Sequence, residues 1–259
     1  MERKIATVIM AAGKGTRMKN PDKAKVMFEV LAKPMIEHVA GLAHSIESTR
    51  TIVVVGFHRE EVIAHVKKSA PWAEFAVQEP QLGTGHAVLQ TEPQLKHFEG
   101  DVLVLSGDVP LLKRSTMLEM ISFHRRTNSV ATILTAELDD PSGYGRIIRN
   151  GTGNVTAIVE HKDASDEQRA IREINSGIYL FDNAHLFDAL HHIGAHNVQD
   201  EYYLTDVFHY FWKHGLSVSA KVADDFNEIR GVNTAEQLEE ACAALLQRNS
   251  PPVPIVKSL

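Results

Sequence analysis

Five cations, Lys14, Arg17, Lys19, Lys23 and Lys25, fall within twelve residues, with Asp22 the only acid among them. The stretch opens with Ala11-Ala12-Gly13-Lys14-Gly15. Two alanines and two glycines leave the main chain bare, so a ligand can come close to backbone N–H groups. Bare amides beside Arg and Lys suit a polyphosphate, whose oxygens need both hydrogen bonds and neutralisation. A solvated basic loop is the plain alternative, because runs of like charge usually face water. Two familiar phosphate motifs do not fit. Val8 stands where the first glycine of a P-loop belongs, Gly15 follows Lys14 where Ser or Thr is required, and Met18 takes the third glycine position of the dinucleotide fingerprint.

Other positions invite chemistry. Asp108 follows Gly107 at the end of the apolar run Asp101–Ser106, where a carboxylate can point into a ligand crevice and hold a hard cation. A helix cap is the competing use of such an Asp. Thr116 with Glu119 has the pattern of a capping box for the next helix, which would leave Asp108 free. Gly83-Thr84-Gly85 again offers bare amides at a predicted helix start, open to a carbonyl or phosphate oxygen, although an ordinary glycine turn has the same composition. Glu160 ends one predicted strand and Asn175 lies early in the next, a carboxylate and a carboxamide able to direct hydrogen bonds at a sugar. No H-E-x-x-H spacing occurs among the fourteen histidines, and adjacent His191 and His192 cannot share a helix face.

These residues sit in a regular scaffold. Ile5–Met10 reads as a buried strand, and Met35, Val39, Leu42 and Ile46 as the inner face of a helix entered through Pro34. Thr51–Val55 is a second strand, Arg59–Lys68 a helix, Ala73–Val77 a weaker strand, and Gln81–His86 opens the next helix. Strand and helix alternating through short joints predict a parallel sheet with right-handed crossovers. From Val130 the pattern changes. Val130–Leu138, Arg146–Arg149, Val155–Glu160 and Glu173–Phe181 read as strands, with a hairpin signal at Asn150-Gly151. They predict a small antiparallel region forming the second wall of the cleft. Tyr203–Trp212 reads as an aromatic-rich helix, Val218–Val222 as a strand, and Thr234 with Gln237 as the capping box of a last helix. The expected fold class is therefore α/β: a Rossmann-like, mostly parallel sheet with helices on both faces. Residues 1–248 are expected to form one domain, with a first half to about 130, a second half to about 232, a closing helix over 233–248 and a loose, proline-rich tail over 249–259.

The chain has 259 residues, 27 basic and 33 acidic, for a formal charge of -6, which disfavours a nucleic-acid surface. A lone cysteine, Cys242, excludes an internal disulfide and fits a reducing cytoplasm. No run approaches the roughly 18 apolar residues of a membrane span, and no signal peptide is legible, so a cytoplasmic globule is expected.

Gly13-Lys14-Gly15-Thr16-Arg17-Met18 with Lys25 downstream resembles the signature loop of the sugar-1-phosphate nucleotidyltransferase family. Five further segments are similar in the same order: Gln81–Ala87, Gly107–Leu111, Gly143–Ile147, Ile158–Ala164 and Glu201–Asp206. The likeness runs from about Val8 to Leu238 and is strongest to the uridyl-transferring branch that acts on N-acetylglucosamine-1-phosphate. It implies transfer of UMP from UTP to that sugar phosphate with release of pyrophosphate, assisted by Mg²⁺. An attacking phosphate is already ionised, so no general base is implied. Arg17 and Lys25 become the catalytic cations. Ala24 precedes Lys25 where the family usually has Pro, and the interval of eight residues from Arg17 is one longer than usual, which leaves Lys23 as the alternative. Gln78, Gly83 and Thr84 with the backbone of Ala11, Ala12 and Gly13 become base-reading positions. Gly145, Glu160, Asn175, Tyr203 and Thr205 become sugar contacts, with Ser176 standing for a usual Thr. Asp108 and Asn233 become the metal contacts.

The resembled enzymes usually carry a second domain of hexapeptide repeats with acetyltransferase activity. No internal repeat is found here, which implies the uridyl-transferring unit alone, without the trimerising β-helix. Another acceptor, such as N-acetylgalactosamine- or glucose-1-phosphate, and a catalytically weak nucleotide-sugar-binding regulator are the alternative readings.

Overall fold

A computed structural model describes residues 3–195, 197 and 199–249. The expected tail lies almost wholly outside the described residues. The strands are β1 (Lys4–Ala11), β2 (Glu29–Val30), β3 (Lys33–Pro34), β4 (Arg50–Val55), β5 (Glu74–Val77), β6 (Gly100–Ser106), β7 (Ala131–Glu137), β8 (Gly145–Arg149), β9 (Val155–Val159), β10 (Glu173–Asp182) and β11 (Val218–Val222). The helices are α1 (Met35–Ser45), α2 (Arg59–Ser69), α3 (Thr84–Leu89), α4 (Glu92–Leu95), α5 (Arg114–Thr127), α6 (Asp166–Arg169), α7 (Asn183–Leu190), α8 (Asp206–Lys213), α9 (Phe226–Ile229) and α10 (Ala235–Asn249).

Nine strands form one sheet in the order β11-β7-β10-β6-β1-β4-β5, with the β8–β9 hairpin attached to β10. β6, β1, β4 and β5 are parallel neighbours, while β10 runs antiparallel between β6 and β7. Alternation along β1 shows why helices cover both faces. Ile5, Ile9 and Ala11 pack with buried residues of α1, α2 and α5. Ala6 and Val8 point the other way, into a cluster with α3, α7 and α8. A strand buried on both sides needs an unbroken apolar run, and β1, β4 and β6 have one. A third, smaller cluster joins β2 and the start of α1 to α10 through Val30, Met35, Val232 and Ala241.

The fold is the expected α/β sheet with its small antiparallel region, which is joined to the core: β10 lies between β6 and β7 and carries the β8–β9 hairpin. Three details differ. α3 begins at Thr84 rather than Gln81. α8 begins at Asp206, so Tyr203 and Thr205 precede it. Thr116 does not cap α5: it lies inside the helix and its hydroxyl donates to Glu228, 2.5 Å away. α5 has Lys113 at its N-cap position and no side-chain cap, so Asp108 is not spent on that helix. At α10 the box is half as expected. Thr234 accepts from the Gln237 N–H at 3.3 Å, but the Gln237 side chain reaches back to the Asn233 N–H at 2.7 Å. Among the described residues no helix is long and apolar enough to cross a membrane.

Candidate active site

Two cavities open beyond the carboxyl ends of the central strands. The larger, about 560 Å³, is walled by Ala11–Arg17, Lys25, Gln78, Gly83, Thr84, Asp108 and Asn233. The smaller, about 220 Å³, is lined by Tyr144, Gly145, Glu160, Asn175, Tyr179 and Thr205. Met10, Thr84 and Ser106 line both, so the cavities meet at the ends of β1 and β6.

In the larger cavity the loop after β1 is held from outside. The Ala12 carbonyl accepts from the Phe57 N–H at 3.1 Å and from Gln81 Nε2 at 2.5 Å. No heavy atom lies within 4 Å of where a Gly13 side chain would begin, so its main chain is open. Gly15 is different. Its φ is +60°, and a Cβ there would stand 2.5 Å from Lys25 Cβ. The stem of Lys25 passes where that side chain would be, which is why the loop needs glycine at this point. Lys25 opens a short 3₁₀ turn after Ala24, which is buried with φ −61°. That angle is one a proline ring would impose, so Ala24 keeps the backbone expected of a Pro there.

The two candidate lysines part company. Lys25 Nζ bonds Asp108 Oδ2 and Asn233 Oδ1, the latter at 2.6 Å, and Arg17 donates to the same Asn233 oxygen at 2.6 Å. Lys23 instead lies over the Phe28 ring, 5.3 Å from its centroid. Asp108 and Asn233 come from distant parts of the chain. Their backbones are tied by the Val232 N–H donating to the Asp108 carbonyl at 2.9 Å. Asn233 Nδ2 is held by the Gly231 carbonyl at 3.2 Å, which turns Oδ1 inward. Two oxygen donors thus converge on one cationic position. No group of three His, Cys, Asp or Glu side chains able to hold a metal exists among the described residues. A carboxylate and a carboxamide oxygen fit a hard divalent ion that takes its other ligands from phosphate and water.

Gln78 is buried at the end of β5, and its Nε2 donates to the Gly83 carbonyl at 2.8 Å. Gly83 has φ +108°, and a Cβ there would meet the Tyr202 carbonyl at 2.6 Å. The segments 82–85 and 202–204 run side by side. The Tyr202 N–H donates to Leu82, the Gly85 N–H to Tyr202, and the Leu204 N–H to Thr84 Oγ1 at 2.9 Å. One side of this seam faces the larger cavity, while Thr84 and Thr205 reach the smaller.

In the smaller cavity a register shift in β10, between Asn175 and Tyr179, bends the strand. Gly177 supplies φ +80°, and the Ser176 hydroxyl donates to the Leu134 carbonyl at 2.6 Å while accepting from the Ile178 N–H. Ser176 keeps the expected hydroxyl, and it is used to hold the bulge. Asn175 Nδ2 donates to the Tyr179 hydroxyl at 2.7 Å. Burial, with Asp163 adding to it, pushes the Glu160 carboxyl above the usual carboxylate range, against a Thr205 hydroxyl that favours the charged form. Burial beside Asp163 and Glu160 likewise pushes the Tyr203 phenol up to about 12.

The residues assigned to the base, the sugar, the phosphates and the metal, Lys23 excepted, lie at these cavities or on the segments that frame them. Sequence reasoning missed Gln81 as the clasp on Ala12, Tyr179 as the partner of Asn175, and Tyr144 as a wall. Gln81 and Tyr144 sat inside quoted motifs, but nothing in one dimension says what a side chain grips.

The sheet order and a two-part cleft at the strand ends define a nucleotide-diphospho-sugar transferase type of fold. Residues 6–241 match the family described as Nucleotidyl transferase, and the chain belongs to it. It is 48% identical over 241 residues to the bifunctional protein GlmU of Streptococcus suis (strain 98HAH33) and 47% identical over 241 residues to that of Geobacillus sp. (strain WCH70). Each match covers 93% of this chain and 52% of the relative, so the chain spans about half the length of the curated relatives it matches. A UDP-glucose pyrophosphorylase complexed with UDP-glucose superimposes with a TM-score of 0.75 at 17% identity, covering 95% of this chain and 99% of that one. A putative glucose-1-phosphate thymidylyltransferase from Bacillus anthracis gives 0.72 at 18%, covering 95% and 96%. These structures share the fold.

Proposed function

We propose that this chain transfers UMP from UTP to N-acetylglucosamine-1-phosphate, giving UDP-N-acetylglucosamine and pyrophosphate. The observation that carries the reading is the shared wall at Met10, Thr84 and Ser106, which lets a nucleotide in the larger cavity meet a sugar phosphate in the smaller. The identity with GlmU proteins supports the choice of substrates.

A phosphate oxygen of the sugar-1-phosphate forms a bond to the α-phosphorus of UTP as the bond from that phosphorus to the bridging oxygen breaks. Pyrophosphate leaves with the electron pair. Gln78, Gly83 and Thr84, with the main chain of Ala11, Ala12 and Gly13, seat the base. Gly145, Glu160, Asn175, Tyr203 and Thr205 orient the sugar. Arg17 and Lys25 neutralise charge on the phosphates, Lys25 being favoured over Lys23 because its ammonium already reaches Asp108 and Asn233. Asp108 and Asn233 would hold Mg²⁺, which when bound neutralises phosphate charge and aligns the oxygens. Catalysis is positioning and electrostatics, and an attacking group ionised at neutral pH needs no protein base.

The test is pyrophosphate release with Mg²⁺, crossing four nucleoside triphosphates with N-acetylglucosamine-, N-acetylgalactosamine- and glucose-1-phosphate. Turnover with UTP and N-acetylglucosamine-1-phosphate as the best pair is expected. A clear preference for another pair would overturn the substrate assignment.

A further inference from the structure

The carboxamide of Gln78 can read a base only if its oxygen and nitrogen are told apart by their surroundings. Its Nε2 carries two hydrogens, and two acceptors converge on it. The Gly83 carbonyl takes one at 2.8 Å, and His86 Nδ1 lies 3.2 Å from the same nitrogen. With both hydrogens engaged, Oε1 is the polar atom of Gln78 left to a ligand in the cavity that Gln78 lines. An acceptor at that point pairs with the N3–H of uracil and meets the bare lone pair at N3 of cytosine. We infer that His86 is a positioning residue for base selection, its Nδ1 acting as the acceptor that fixes the Gln78 carboxamide with Oε1 toward the base. The inference rests on the proposed use of UTP and adds a residue that never touches it.

The imidazole is itself arranged for this. Its helix, α3, starts at Thr84, which brings His86 back over the end of β5. A neutral imidazole accepts at one nitrogen and donates from the other. Both ring nitrogens face amide groups, Gln78 at Nδ1 and Gln90 at Nε2, the latter at 3.1 Å. Gln78 has the stronger claim, because turning its amide over would set Oε1 against the Gly83 carbonyl. Gln90, just past the end of α3, also donates from Nε2 to the His86 carbonyl at 3.1 Å. That carbonyl keeps the Gln90 main-chain N–H, and the half-buried Gln90 side chain can give up the bond and meet Nε2–H with its oxygen. Partial burial lowers the His86 pKa, which keeps the ring neutral and its acceptor available. The relay therefore runs from Gly83 through Gln78 and His86 to Gln90.

The experiment measures UTP and CTP binding to the full chain by calorimetry, with pyrophosphate release as a parallel readout and thermal unfolding to confirm each variant is folded. Wild type is measured first. Equal affinity for UTP and CTP there would overturn the base assignment itself, and with it the proposed function. Given a wild-type preference for UTP, His86→Leu removes the acceptor and is expected to narrow the UTP:CTP ratio by roughly tenfold, the scale of one oriented hydrogen bond to a buried group. His86→Asn, which can present Oδ1 near the position of Nδ1, restores most of the preference. A ratio unchanged in His86→Leu, or lost equally in His86→Asn, would overturn the role of His86 while leaving the Gln78 reading in place.

Discussion

The two cavities are lined in different ways. On the nucleotide side the chain offers bare main chain at Ala11–Gly13 and long cations that already have protein partners, Lys25 on Asp108 and Asn233, Arg17 on Asn233. On the sugar side the polar groups are shorter and planted on or beside strands. Asn175 is fixed to Tyr179, and Glu160 is buried enough to resist ionisation. A triphosphate brings charge enough to draw flexible cations away from internal partners. A sugar ring brings only hydroxyls and an amide, and those reward groups set in place beforehand. One wall works by exchange of ionic partners, the other by prior arrangement.

Breaking the exchange wall has the largest expected effect. Asp108→Asn keeps the shape but removes the charge that faces Lys25 and would face a metal. Turnover is expected to fall on the order of a hundredfold or more, with a nearly unchanged unfolding midpoint. Wild-type turnover in this variant would remove Asp108 from the chemistry. Next come the two lysines. Lys25→Met is expected to lower kcat by tens of fold on the same electrostatic grounds, whereas Lys23→Met, whose ammonium lies over Phe28, stays within about twofold. Equal losses in steady-state assays would show that the two share the role.

The smallest effect sharpens the other wall. Because burial raises the Glu160 pKa, its proton returns at a higher pH than for an ordinary carboxyl. The acceptor KM is therefore expected to rise a few-fold as pH falls through that range, while the UTP KM holds steady, and Glu160→Gln abolishes the dependence. Stability moves the other way. Ionising a carboxyl raised by burial costs folding energy, so the fold loses stability as pH climbs from the unfolded pKa through the folded one. A flat acceptor KM from acid to neutral pH would count against Glu160 as a sugar contact.

Most strands and their order of appearance were legible, because β1, β4 and β6 announce themselves by unbroken apolar runs. What could not be read depends on partners far away in sequence. Thr116 has every local mark of a cap, but Glu228 takes its hydroxyl from across the chain. Tyr203–Trp212 looks helical throughout, yet Leu204 is bound by Thr84 and the helix waits until Asp206. Lys23 and Lys25 are equivalent as letters. Distant partners separate them: Lys25 passes the bare Gly15 to reach Asp108 and Asn233, while Lys23 lies over Phe28. The antiparallel strands were visible, but nothing local said that β10 would enter the middle of the sheet.

That placement has a consequence for how the protein is made. β6 ends at Ser106 and β10 at Asp182, so 182 minus 106, or 76, residues must leave the ribosome after β6 before its second edge can be paired. Until then Val102, Leu103 and Val104, fully buried in the finished molecule, border an open hydrogen-bonding edge. At the usual 5–20 residues per second of synthesis, that interval is roughly 4–15 seconds. A nascent chain in this window exposes the kind of edge that recruits other strands. A fragment stopped near residue 130 would be held there permanently.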